Sequence, residues 1–139
     1  MLKLLIAVDG SEHANRAVEA VAQMARSSLA LEAILLCVSP EPIFYGDYTL
    51  ATIEKIEEEQ KKQQDTVLAK ASESAKALGL HISELARAYG VIANEIVRIA
   101  NEKRVDQIVI GTRGMGAVGN MVLGSVAQRV LHQASVPVL

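Results

Sequence analysis

The sequence Ile108-Val109-Ile110-Gly111-Thr112-Arg113-Gly114 joins an apolar run to a turn that is rich in glycine. After nine further residues, Gly124-Ser125 opens an amphipathic segment, and five of the nine glycines in the chain lie between Gly111 and Gly124. Glycine is costly inside regular structure, so a cluster directly after a strand indicates backbone that closely approaches another group. A glycine-rich turn before a helix can direct several N–H groups at an anion, and phosphate is the usual one. The stretch therefore predicts a site for the phosphates of a nucleotide.

Outward from this stretch, apolar runs alternate with segments of helical periodicity along the whole chain. The runs predict strands at 2–8, 33–38, 81–88, 106–110 and 136–139, the third near a sheet edge because its residues alternate. The periodic segments predict four helices. The first is capped by Ser11 and runs to about Arg26, the second covers 50–78, and the last two are indicated by apolar residues at helical spacing over 92–100 and 126–134. One helix between successive strands predicts an α/β fold with three layers, α/β/α, around a five-stranded parallel sheet.

The longest predicted helix has a polar first half. Residues 57–64 are almost wholly polar and contain glutamate–lysine pairs at i,i+4 spacing. Such a run is typical of a solvated face, so this half is expected to project from the body. The second half, which contains Leu68 and Ala75, is expected to pack on the domain.

The composition is that of a single domain, 1–139, with an aliphatic core. Half of the 139 residues are hydrophobic, but only 3% are aromatic. The net charge of −2 argues against nucleic acid as a partner, and no run approaches the ~20 apolar residues that a membrane span needs. The single cysteine, Cys37, excludes an intrachain disulfide and is expected to be a buried, inert thiol. Because Asp9 and Glu12 interrupt the first apolar run, a signal peptide is not indicated, and a cytoplasmic location is expected.

Two common phosphate motifs do not account for the glycine stretch. The P-loop pattern requires a lysine before Ser125, where the chain has none. The dinucleotide pattern is literally present at 114–119, but the acidic residue expected about twenty positions later would lie at or beyond Leu139. Simpler explanations stay open, because Ser125 and Gln128 match a capping box and Asp9 can fix the turn before Ser11.

The pattern Gly111-x-x-Gly114, nine residues, then Gly124-Ser125 resembles the ATP-binding signature of the universal stress protein family. The similarity extends to Leu5-Ile6-Ala7-Val8-Asp9-Gly10-Ser11-Glu12 near the start and to Val-Pro-Val near the end. It implies a Rossmann-like fold of the adenine nucleotide alpha hydrolase type, with strand order 3-2-1-4-5. It also implies ATP as the ligand and a homodimer that pairs through the C-terminal edge strand at 136–139. Mg²⁺ is a further candidate ligand, because Asp9 could hold the ion on the phosphates.

The resemblance assigns the base and sugar of the nucleotide to four residues. Ala7 and Ile110 would form walls of the base pocket. The backbone of Val38 would meet the adenine. Asp9 would face the ribose or the adenine.

The resemblance assigns the phosphates to the glycine stretch and the helix that follows it. Gly111 and Gly114 would pass under the ribose and the first phosphates. Gly124, Ser125 and Val126 would hold the outer phosphates. Elementary electrostatics supports the last assignment, since a helix that starts at Ser125 favours an anion there.

Catalysis is not indicated by the residues. The histidines His13, His81 and His132 are far apart, and neither a metal spacing nor a nucleophile–base pair stands out. At most slow ATP hydrolysis is expected. The predicted function is that of an ATP-binding, nucleotide-sensing regulatory module in the stress response. The alternatives are a scaffold or interaction protein of the same fold that does not depend on a nucleotide, and a slow ATPase.

Overall fold

The computed structural model describes residues 2–26, 30–41, 46, 48–111 and 124–139. Strands and helices alternate within these ranges, as predicted. In chain order they are β1 (Leu2–Ala7), α1 (Glu12–Arg26), β2 (Leu31–Ser39), α2 (Leu50–Ala77), β3 (Ile82–Tyr89), α3 (Ile92–Glu102), β4 (Gln107–Val109) and α4 (Ser125–Gln133).

The strands of the described residues form one parallel sheet in the order β3-β2-β1-β4. β1 lies inside the sheet, with Ile6 opposite Leu35 of β2 on one side and Val109 of β4 on the other. The predicted α/β fold with a parallel sheet is thereby confirmed. β3 lies at an edge of the sheet, as its alternating sequence indicated.

The prediction of a fifth strand at 136–139 is wrong, because the described residues form a sheet of four strands. Beside β4 the chain makes a single isolated parallel bridge, which joins Ile108 to Val138. The N–H of Ile108 donates to the carbonyl of Pro137 at 2.9 Å, and the N–H of Leu139 donates to the carbonyl of Ile108 at 2.8 Å. Since the carbonyl of Pro137 faces β4, the N–H that proline lacks would have faced β4 as well. The ladder therefore loses a donor where a regular fifth strand would need one.

Helices cover both faces of the sheet. α1 and the second half of α2 pack on one face, where Val21 and Leu68 are buried in an apolar cluster. α3 and α4 pack on the other face, where Ile96 and Val130 are buried in a second cluster. Because both faces are covered, β1 and β2 are apolar almost throughout and do not alternate.

The longest helix, α2, has a defined start and end. Thr49 caps its start by accepting a hydrogen bond from the N–H of Thr52 at 3.2 Å. Gly79 follows its end with φ +80°, a conformation that favours glycine. Leu68 and Ala75 of its second half are buried, as predicted. Although α2 has 28 residues, no helix in the described ranges is both long and apolar enough to cross a membrane.

The substitution Leu35→Ala is expected to lower the free energy of unfolding by about 2–5 kcal/mol, because it leaves a cavity at a fully buried position of β2. Leu85 is the register partner of Leu35 on β3, but 47% of it is exposed. Leu85→Ala should therefore cost less than about 1 kcal/mol. Urea denaturation measures both values, and equal losses would contradict the edge position of β3.

Candidate functional site

Three parallel strands end at the same edge of the sheet. β1 ends at Ala7, β2 contains Val38 next to its last residue, and β4 leads into Ile110. The side chains of these three residues are at most 8% exposed and belong to one apolar cluster on the face that α3 and α4 cover. The structure therefore brings Ala7, Val38 and Ile110 together, while their contact with a base stays a prediction.

Asp9 follows β1 and fixes the turn into α1. Its Oδ1 accepts a hydrogen bond from the N–H of Ser11 at 2.9 Å, and Oγ of Ser11 accepts one from the N–H of Ala14 at 3.2 Å. These bonds show that Asp9 fixes the turn before α1. Of the two roles that the sequence left open for Asp9, the turn and the ligand contact, the turn is the simpler one. The carboxylate has further acceptor positions and is partly exposed, so the same residue can also face a ligand.

Gly111 meets a packing requirement that the sequence did not reveal. A Cβ atom at this position would lie 2.9 Å from the backbone carbonyl carbon of His13 and 3.0 Å from its Cβ. α1 can therefore pass close to the end of β4 because residue 111 has no side chain. The sequence indicated that the backbone at the glycines lies close to another group. At Gly111 that group is the first turn of α1. Its contact with a phosphate stays a prediction, and Gly114 lies outside the described residues.

The start of α4 excludes the capping box, which was the simpler explanation left open for Ser125. Gly124 is the N-cap residue, and Ser125 is already the first helical residue, so Ser125 does not cap the helix with its side chain. The reason is the backbone of Gly124, whose extended conformation (φ −64°, ψ 155°) already occupies the cap position. The N–H of Gln128 donates to the carbonyl of Gly124 at 3.0 Å and closes the first turn. Ser125 is exposed, and Val126 is partly buried against the second apolar cluster.

Cys37 is a buried free thiol, as predicted. It lies on the face that α1 and α2 cover and is 5% exposed. Burial, followed by the negative charge of Asp9, raises the pKa of Cys37 to about 11. The thiol is therefore protonated at neutral pH, and its reactivity is suppressed.

A cleft at the β3 end of this edge does not suit a phosphate. It has a volume of about 670 Å³ and lies between the first half of α2 and the ends of β2 and β3, and its lining among the described residues has four glutamates against one lysine: Glu41, Glu54, Glu57, Glu58 and Lys61. Carboxylates at short range repel a phosphate group. Within the described ranges, no three histidine, cysteine, aspartate or glutamate side chains converge as a metal cluster would require.

Gln64 is a residue of this region that the sequence reasoning missed. The polar run 57–64 was expected to be solvated, but Gln64 is only 1% exposed. It bonds to the ends of β2 and β3, through Ser39 Oγ at 3.0 Å and the carbonyl of Ala88 at 3.1 Å. Helical spacing could have revealed it, because Gln64 precedes the buried Leu68 by four residues and so shares its face.

The sequence pattern that defines the universal stress protein family matches residues 1–139. The universal stress protein YxiE of Bacillus subtilis is 34% identical over 145 residues, which cover 99% of this chain and 96% of that protein. The universal stress protein MJ0531 of Methanocaldococcus jannaschii is 35% identical over 138 residues, covering 99% of this chain and 79% of that protein. The chain belongs to the universal stress protein family.

Solved structures of the family share the fold. A universal stress protein in complex with cAMP is 25% identical and aligns with a TM-score of 0.66, covering 99% of this chain and 94% of that chain. The universal stress protein from Archaeoglobus fulgidus in complex with dAMP is 25% identical and aligns with a TM-score of 0.61, covering 100% of this chain and 96% of that chain. Relatives of this chain thus include proteins whose structures hold an adenine nucleotide.

The free energy of unfolding is expected to depend on Cys37 at alkaline pH. The pKa of its thiol is about 11 in the folded protein against an ordinary 9.0, so between these values the folded protein holds a proton that the unfolded chain releases. This contribution is fully present below about pH 9 and is lost as pH rises, by about 2 kcal/mol near pH 10.5. Urea denaturation at about pH 8 and pH 10.5 measures the loss, which should be smaller in Cys37→Ala. The same alkaline loss in both proteins would show that the thiol is not its source.

Proposed function

We propose that this protein binds an adenine nucleotide, with ATP as the ligand, and acts as a nucleotide-sensing regulatory module in the stress response. The observation that carries the proposal is the meeting of three chain segments at one edge of the sheet: Asp9 after β1, Val38 in β2 and Gly111 after β4. Open parallel sheets bind ligands at this edge. The relatives solved with cAMP and dAMP support an adenine base as the recognised group.

The base is assigned to the backbone of Val38. In a parallel strand, successive residues direct their N–H and C=O groups to opposite neighbours. The carbonyl of Leu36 accepts from Val8 on the β1 side at 2.8 Å, whereas the carbonyl of Ser39 accepts from Gly90 on the β3 side at 3.0 Å. By this alternation, the polar groups of Val38 face the β1 side, just beyond the end of that strand. An adenine there would find both a donor and an acceptor, with Ala7 and Ile110 beside it.

The phosphates are assigned to the start of α4. Gly124, Ser125 and Val126 lead into a helix whose N-cap residue makes no side-chain cap, and the phosphates would accept hydrogen bonds from its first N–H groups. The helix dipole favours negative charge at this end, and the exposed hydroxyl of Ser125 adds a donor. By the family pattern, Gly111 and Gly114 complete the cradle.

Magnesium is proposed as the companion of ATP. Mg²⁺ usually keeps several waters and takes one or two carboxylates together with the phosphates of the nucleotide. Asp9 is the carboxylate that follows β1, and the oxygen that does not accept from Ser11 would bind the ion. The ion would supply positive charge between Asp9 and the phosphates.

The proposal assigns sensing, and not turnover, to the bound nucleotide. Occupancy would order backbone around the phosphates and so change a surface that other molecules read. The one buried thiol, Cys37, has a raised pKa and is no nucleophile at neutral pH. We also propose that the protein is located in the cytoplasm and that it does not bind nucleic acid. A scaffold of the same fold and a slow ATPase are its alternatives.

Calorimetric titration with ATP, ADP and AMP, with and without magnesium, tests the proposal. We expect saturable ATP binding that Ser125→Ala weakens roughly three- to tenfold, because the variant loses one hydrogen bond to a phosphate. Ser74→Ala is the matched control, since Ser74 is an exposed helical serine in the second half of α2. Its affinity should equal that of the wild type. If the folded wild type binds none of the three nucleotides, the scaffold function takes the place of the sensing function.

A homodimer through the segment 136–139 is also proposed. The carbonyls of Pro137 and Leu139 accept from β4, at 2.9 and 3.0 Å, so both residues direct their backbone toward that strand. By the same alternation, the N–H and C=O of Val138 face away from β4, where a second copy can pair with them. The segment thus offers an unpaired sheet edge to a partner.

Val138→Pro is expected to convert the dimer into a monomer, because proline removes the outward N–H and keeps the hydrogen bonds of Leu139 to β4. Multi-angle light scattering measures the mass. Val91→Pro serves as the control, since Val91 is an exposed residue outside this edge that precedes α3. A dimer that persists in Val138→Pro would exclude pairing through this edge.

A further inference from the structure

Gln64 is the only buried polar or charged side chain among the described residues. It lies in α2, and it reaches the carboxyl edge of the sheet, where β2 and β3 end. Gln63, its neighbour in the same helix, is exposed. The polar run of α2 therefore places one amide inside the protein at the edge that carries the candidate nucleotide site.

The amide nitrogen of Gln64 joins two strands. It donates to Oγ of Ser39 at 3.0 Å and to the carbonyl of Ala88 at 3.1 Å, with the carbonyl of Cys37 farther away at 3.4 Å. An amide group has two N–H donors, so three acceptors share them. Gln64 therefore connects the last residue of β2, Ser39, to the next-to-last residue of β3, Ala88.

The contacts of Gln64 lie on both sides of Val38 along β2. The carbonyl of Cys37 belongs to the same peptide group as the N–H of Val38, so a donor to that carbonyl orients the plane of this N–H. A hydrogen bond to the carbonyl also polarises the peptide group and makes its N–H a better donor. Ser39, on the other side of Val38, is held by the same amide nitrogen. The two contacts thus restrain the segment to which the base is assigned.

A purely space-filling role does not explain an amide at this position. Oε1 of Gln64 is buried and has no hydrogen-bond partner within the described part of the chain. A methionine would fill a similar volume without an unpaired acceptor. One turn earlier, Nε2 of Gln60 contacts the carbonyl of Pro40 at 3.4 Å, so a second amide of α2 faces the exit of β2. The donors of Gln64 are therefore the reason for its presence.

We propose that Gln64 is a positioning residue for base recognition: its amide nitrogen, bonded to Ser39, Ala88 and Cys37, fixes the peptide group of Val38 that discriminates adenine from other bases. The inference rests on the proposed nucleotide function and deepens it. It assigns selectivity for the base to a contact between helix and strand ends, and Gln64 itself does not touch the nucleotide.

The test compares adenosine with inosine, which presents a carbonyl and an N–H where adenosine presents an amino group and a ring acceptor. We expect the wild type to prefer adenosine, and Gln64→Met to reduce this preference roughly tenfold while it keeps its circular dichroism spectrum. Gln63→Met is the matched control and should retain the preference. A structural role alone would weaken both ligands equally and leave their ratio unchanged.

The outcomes separate this inference from the function on which it rests. If the wild type binds neither nucleoside nor any adenine nucleotide, the proposed function fails, and the role of Gln64 fails with it. If the wild type prefers adenosine and Gln64→Met has the same preference, only the role of Gln64 is overturned.

A second variant keeps the inference testable if Gln64→Met does not fold. Gln64→Glu has nearly the same shape, but an ionised carboxylate offers no donor, whereas the protonated acid offers one. Relative to Gln63→Glu, which adds the same charge at an exposed position, its affinity for adenosine should be at least about tenfold lower near pH 8 and should recover near pH 5.5. The titratable and charged groups on the elements around Gln64 include Cys37, the exposed pair of Asp65 and Arg87, and the groups of the adjoining cleft, and the control retains them all: Glu41, Glu54, Glu57, Glu58, Lys61 and Tyr89. A deficit that does not change with pH, or failure of both variants to fold, would overturn the inference.

Discussion

The parallel pairing of β1 with both β2 and β4 is the constraint on which the rest of the structure depends. Because these strands run in one direction, their carboxyl ends and the turns that follow must lie at one edge of the sheet. Backbone alternation then decides which polar groups are available there. Leu36 and Ser39 use their carbonyls within the fold, whereas Val38 faces the side on which β1 has already ended. The edge to which the proposed function assigns the nucleotide thus follows from strand pairing before any side chain is considered.

Two helices, α1 and α2, make close contacts with the strand ends at this edge. α1 approaches the end of β4 so closely that residue 111 must be glycine, since a Cβ would meet His13 at 2.9 Å. α2 reaches the opposite side of the edge, where Gln64 bonds to Ser39 at the end of β2 and to Ala88 near the end of β3. Oε1 of Gln64 is buried without a partner among the described residues, so the amide nitrogen carries the hydrogen bonds that are seen at this position. Glycine at one end and an amide at the other thus connect the edge to the helices on one face of the sheet.

Much of this architecture could be predicted from the sequence, because apolar runs and helical periodicity each depend on a single element. The parallel α/β fold followed from them, whereas the placing of Asp9, Val38 and Gly111 at one site was implied by the resemblance to the family. The remaining features depend on contacts between distant segments. The bridge at Val138 replaces a full strand because Pro137 lacks a donor toward β4. Gly124 occupies the cap position that a local motif assigned to Ser125, and the burial of Gln64 requires the ends of two strands. Spacing alone could have suggested only the last.

The charge of the edge has a consequence for the nucleotide that it would bind. Among the described residues that directly follow β1, β2 and β4, the charged ones, Asp9 and Glu41, are both acidic. Among the described residues, backbone N–H groups and the dipole of α4 would supply the attraction for a phosphate there. Under the proposed function, a nucleotide that carries Mg²⁺ would bring positive charge to Asp9, whereas a free nucleotide would meet its carboxylate. Affinity would then depend on the charge state of the ligand.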